Sequence, residues 1–225
     1  MSEPSRRLKV GAFTLIEVLV VLFIVFLLAA MFFPAMSGRG PSSGVPCRSN
    51  QRQIGLGLIL FQTDHDSRFP WQTPATNGGT MDFISIGQAS PHYQVLSAFL
   101  GNRTDRLLCP VDKARRKAED YSQLRDQNIS YFVNLDASTN QPVQTILVGD
   151  RYLMADGRAV TPGLFVLTPN REMTWAPGFH RQGGTLAFAD GHAEFVRDNH
   201  LSSVTRNQAL ATNRLSGRWL HQQAA

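Results

Sequence analysis

Recognisable catalytic chemistry is the first thing this chain is short of. It holds no Ser nucleophile elbow, no P-loop and no Cys-x-x-Cys pair. The usual sequence marks of acyl transfer, nucleotide hydrolysis and dithiol redox work are therefore missing. Charge is sparse as well: Asp, Glu, Lys and Arg make up 17% of the 225 residues. No stripe of Lys and Arg interleaved with aromatics is present, which argues against a nucleic-acid partner. The formal charge of +5 is mild, and the first twelve residues take part of it through Arg6, Arg7 and Lys9 against Glu3. Cysteine is scarce, with only Cys47 and Cys109. No A-x-A site closes the N-terminal apolar stretch, which counts against a cleaved secretory signal peptide.

The chain does have one long apolar run. From Phe13 to Phe33 the only charged residue is Glu17. As a helix that run would cover about 31 Å, the hydrocarbon thickness of a bilayer, so the sequence predicts a transmembrane helix over 13–36. Arg6, Arg7 and Lys9 would hold the N-terminus on the cytoplasmic side and send the rest of the chain across. A carboxylate among lipid tails costs roughly 2.5 to 3.5 kcal/mol, so Glu17 calls for a role or a partner.

The stretch Ala12-Phe13-Thr14-Leu15-Ile16-Glu17 resembles the cleavage and methylation motif of type IV prepilins and type II secretion pseudopilins. The resemblance implies a leader over 1–12, cut between Ala12 and Phe13, and N-methylation of the new Phe13 terminus. Gly is the commoner residue before such a cut, but only a cut after Ala12 makes Glu17 the fifth mature residue. In this family the fifth-position Glu guides assembly. A prepilin peptidase/N-methyltransferase, other pilin or pseudopilin subunits and lipid of the cytoplasmic membrane are the partners implied. The location implied is a single-pass protein of that membrane, with its head exported.

Ser37 to Pro46 is rich in Gly, Pro and Ser and reads as a flexible linker. The exported head would then occupy 47–225. In an oxidising compartment a bridge between Cys47 and Cys109 would close a loop of about 62 residues and add roughly 4 kcal/mol. Two separate buried thiols are the alternative. Ile54, Leu58 and Phe61 recur at helical spacing, so a helix is expected over about 49–63. A short amphipathic helix over 93–100 should stop at Gly101. Residues 113–127, rich in charge, read as a solvated excursion. Strands are expected over 130–134, 145–151 and 164–167, and a helix near 204–210. Residues 184–196 form two alternating runs around Asp190-Gly191, the pattern of a hairpin with a two-residue type I′ turn. Together these give an α+β fold: an N-terminal transmembrane helix, then a pilin-like head with a helix packed on a small antiparallel sheet.

Cys109-Pro110-Val111-Asp112 resembles a motif of prepilin-like proteins, and His180 with Asp190-Gly191 resembles their H-x9-DG C-terminal signature. Asp190, His192 and Glu194 alternate on one face of a strand. That face would suit a cation, Ca²⁺ most of all, although wet sheet faces and turns use the same residues structurally. Nothing there resembles an EF-hand loop. The structural reading is the stronger, and the sequence calls for no cofactor and no catalytic residue. The function implied is a structural subunit of a secretion or pilus filament. The alternative is a membrane-anchored binding module with the 180–194 segment as its ligand site.

Overall fold

The computed structural model describes residues 14–36, 44–180, 183–211 and 217–221, with side chains over 14–30, 44–180 and 183–209. Ala12, Phe13, the leader and linker residues 37–43 lie outside the described residues. The chain divides into two compact units, 1–42 and 43–225.

The first unit holds one helix, α1 (Leu15–Met36). Thr14 opens it. The Thr14 backbone N–H and hydroxyl donate to Glu17 Oε2 at 2.9 and 2.8 Å, and the Glu17 N–H donates back to Thr14 Oγ1 at 3.4 Å. This is a capping box, in which two otherwise orphaned backbone donors are satisfied reciprocally. The apolar side chains of α1 stand exposed, among them Leu15 at 80%, Ile16 at 70% and Phe26 at 70%.

The expected transmembrane helix is corrected here. Among the described residues no helix is long and apolar enough to cross a membrane. The side chains of α1 over 15–30 instead stand exposed. The helix carries Glu17 within its first turn.

The second unit is α+β. Its first helix, α2 (Val45–Asp64), starts four residues earlier than expected, because Pro46 sits in its first turn, where a missing N–H costs nothing. Cys47, Gln51, Ile54, Leu58 and Phe61 form its buried face. The 93–100 segment splits into α3 (Ser90–Gln94) and α4 (Ser97–Leu100), which ends at Gly101. Residues 113–127 are less solvated than their charge suggests: Ala118, Tyr121 and Leu124 are buried.

Among the described residues nine strands follow: β1 (Tyr131–Asn134), β2 (Ile146–Asp150), β3 (Leu153–Ala155), β4 (Arg158–Ala159), β5 (Gly163–Leu167), β6 (Met173–Trp175), β7 (Gly183–Phe188), β8 (Ala193–Arg197) and, after α5 (Asp198–Ala211), β9 (Gly217–His221). Six strands make an antiparallel sheet in the order β5-β9-β1-β2-β7-β8, and β4-β3-β6 make a second.

The central strands of the main sheet, β1, β2 and β7, are covered on both faces. In β1, Tyr131 and Val133 join a cluster with Ile54, Leu58 and Phe61 of α2, while Phe132 joins Ile146, Leu186, Met173, Trp175 and Leu201 on the other side. Alternation thus places every residue of β1 in a core. A register shift in the β2–β7 pairing lets consecutive Leu147 and Val148 both face α2. The fit at the centre is close. A Cβ on Gly149 would stand 2.4 Å from Leu186 and 2.6 Å from Phe132. The second sheet and α5 close the far side. Trp175 Nε1 donates to Val196 O at 3.0 Å, Trp175 N donates to Asp198 Oδ1, and Ser202 Oγ bonds both Met173 N and O.

Candidate functional site

The hairpin that carries the C-terminal signature is present as β7–β8, but its turn differs from the expected type I′. Gly191 N donates to Phe188 O, and Phe188 N donates to His192 O, both at 3.0 Å. Gly191 takes φ 84°, while Asp190 keeps a negative φ. The loop is therefore three residues, Ala189-Asp190-Gly191, with a glycine in the left-handed region closing a bulge. The cause lies in a neighbouring loop: Ala189 N donates to Thr145 O and Asp190 N to Val143 O, which ties both turn residues to the 143–145 segment.

Asp190 has a local role. Its Oδ1 accepts from the His192 backbone N–H at 3.0 Å and contacts the His192 ring. Partial burial pushes this carboxyl up, but the hydrogen bonds from His192 outweigh it and hold the group below its usual range. His192 in turn stacks on Phe188, with ring centroids 4.4 Å apart.

His180, ten residues earlier, sits at the opposite end of β7. It is fully buried and takes φ 49°, a conformation that costs a non-glycine residue about 1–3 kcal/mol and needs firm surroundings. Those surroundings are the disulfide. Cys47 in the first turn of α2 is bonded to Cys109, with Cα atoms 5.1 Å apart. His180 Nε2 lies 3.0 Å from Cys109 Sγ and 3.4 Å from Asp150 Oδ2. The signature therefore does not bring His180 to Asp190; it brings His180 to the cysteines.

Asp150, at the end of β2, has no exposed surface. Gln51 Nε2 donates to its Oδ1 at 3.0 Å and Thr185 N to its Oδ2 at 2.7 Å. Burial pushes the carboxyl up to about 8, and the two hydrogen bonds pull against it. Burial therefore favours the neutral form of the carboxyl that lies beside the His180 ring. Next in sequence, Arg151 turns away to a different acid. Its Nε and Nη2 reach the two oxygens of Asp112 at 2.8 and 3.1 Å, and Tyr152 OH adds 2.8 Å. Burial would raise the Asp112 carboxyl; the Arg151 guanidinium and Tyr152 hydroxyl overcome it and hold the carboxyl low. The Cys109-Pro110-Val111-Asp112 motif is thus one disulfide and one buried ion pair.

Cys47 Sγ, Cys109 Sγ and a His180 nitrogen lie within 4.8 Å of one another, the one metal-like trio of His, Cys, Asp or Glu among the described residues. The S–S bond takes both sulfurs, so neither is a thiolate ligand. Asp190, His192 and Glu194, the expected cation face, are not drawn together in this way. Asp150, Gln51, Thr185 and Asp112 were not assigned roles by sequence reasoning. Their signals were present as an acid ending an apolar strand, a glutamine on the buried face of α2, and an Asp-Arg pair.

Compared with known proteins, the chain matches no family model, no curated protein and no solved structure.

Proposed function

We propose that the chain is a pseudopilin- or minor-pilin-like structural subunit of a type II secretion or type IV pilus-like filament. A prepilin peptidase/N-methyltransferase trims it between Ala12 and Phe13, and copies or related subunits then pack through their N-terminal helices. The role is architectural, not enzymatic. One observation carries the reading: α1 is apolar on all sides, its single charge is Glu17, and its side chains over 15–30 are exposed. A helix of that kind has to be covered, and helices of neighbouring subunits supply matching apolar surface. The head works outside the cytoplasm, a placement that suits its disulfide.

In the free chain the Glu17 carboxylate is held by Thr14, whose hydrogen bonds, the backbone one foremost, lower its pKa. In the filament it turns to the freed amine of a neighbour's Phe13, where charge pairing sets register. Glu17→Gln separates the two roles. Glutamine completes a capping box as well as glutamate does, but it offers no charge to an amine. The expected outcome is normal helix content with strongly reduced recovery of cross-linked or sheared filaments. Unchanged filament yield from the Gln variant contradicts the proposed role.

A further inference from the structure

Between the β7–β8 hairpin and α5 lies a cleft of about 390 Å³, within the size range of small-molecule sites. Its lining contains two polar groups with nothing to bond. Thr145 is 2% exposed and its hydroxyl has no hydrogen-bond partner. Gln208 is 6% exposed; its Oε1 accepts from Ile146 N at 2.7 Å, but its amide nitrogen has no partner. A buried polar group left unsatisfied costs roughly 1–3 kcal/mol, and both of these belong to residues that line one cleft, which points to something that arrives to satisfy them.

We infer that this cleft binds a neutral saccharide. The lining chemistry selects that class. Among the described residues of the lining there is no Lys or Arg, and the carboxylate is Glu194, so an anionic ligand finds there no counter-charge and one repulsion. The histidine at its edge, His192, already contacts Asp190 through Nδ1. What remains is a set of amides, a hydroxyl and a carboxylate: Asn207, Gln208, Thr145 and Glu194. Amides and carboxylates each reach two adjacent hydroxyls of a sugar ring, the amides donating and accepting and the carboxylate accepting. Phe188 and Val204 add an apolar wall for the ring's C–H face. The site is independent of the filament reading, since it lies wholly in the second unit.

The test uses the full chain in mild detergent, titrated by calorimetry with glucose and N-acetylglucosamine, with trialanine as a neutral peptide probe. Thr145→Val is the informative variant. It is nearly isosteric and removes a hydroxyl that bonds nothing in the protein, so melting temperature should hold or rise. Saccharide affinity should fall by about tenfold, the worth of one hydrogen bond to a buried group. Glu194→Gln, at an exposed position, should weaken binding without touching stability. Failure of both sugars to bind at millimolar concentration overturns the inference. So does affinity that Thr145→Val leaves unchanged, and so does binding of trialanine in place of the sugars.

Discussion

Asp150 is the residue whose chemistry is furthest from ordinary. Unfolded, its carboxyl titrates near ~3.9; folded, burial lifts it to about 8. Between those values the folded chain keeps a proton that the unfolded chain has released. Stability therefore falls as pH rises through that window, and the loss is complete above the folded value. The ionisable groups facing it are His180 at 3.4 Å, Asp112 and Tyr131. Asp150→Asn removes the ionisation and keeps the bonding. Its oxygen can accept from Thr185 N, while its amide can donate to Gln51 Oε1, which is buried without a hydrogen-bond partner, once the Gln51 amide turns over. In urea unfolding from pH 5 to 8, the wild type should lose stability relative to the Asn variant, by an amount on the order of a few kcal/mol. Parallel pH profiles would show that the buried acid does not hold its proton. Asp190, the acid that the sequence singles out, makes a smaller contribution: it trims a turn. A motif's letters do not reveal which of its acids is buried. That depends on what packs above the strand.

At the scale of elements, the bond from Cys47 to Cys109 ties the first turn of α2 to the loop before β1 across 62 residues. Replacing both cysteines by serine should lower the stability of the head by about 4 kcal/mol in the chain-entropy view, read as a drop in thermal or urea midpoint. A loss below about 1 kcal/mol would mean that the staple is idle. The elements legible in the sequence are those with enough residues to show a period. The Ile54-Leu58-Phe61 stripe gave α2, and β-branched or alternating runs gave β1, β2, β5 and the β7–β8 hairpin. The second sheet was illegible because β3, β4 and β6 are two or three residues long and carry no period. The strand β9 was missed because its pairing with β1 and β5 joins residues far apart in the chain. The two-residue turn at Asp190-Gly191 failed because the 143–145 segment holds Ala189 and Asp190, and no local rule contains that segment. Burial in the 113–127 region was hidden beneath its charges for the same reason.

At the scale of the molecule, a folded head and an exposed apolar helix share one chain. The head buries its own apolar core: the central strands of its main sheet are covered on both faces, and its two cysteines are spent on each other. The helix does not, and Thr14 can occupy only the one carboxylate at its start. That contrast is what a building block needs, a stable body and a stem that is complete only among its neighbours. Among the described residues no helix is long and apolar enough to cross a membrane, yet the stretch Ala12 to Glu17 keeps its resemblance to a processing site. The most direct measurement is therefore the N-terminus of the protein isolated from its native cells, by intact mass and terminal sequencing. The account expects a chain that begins at an N-methylated Phe13. A population that begins at Met1 in every molecule would contradict it.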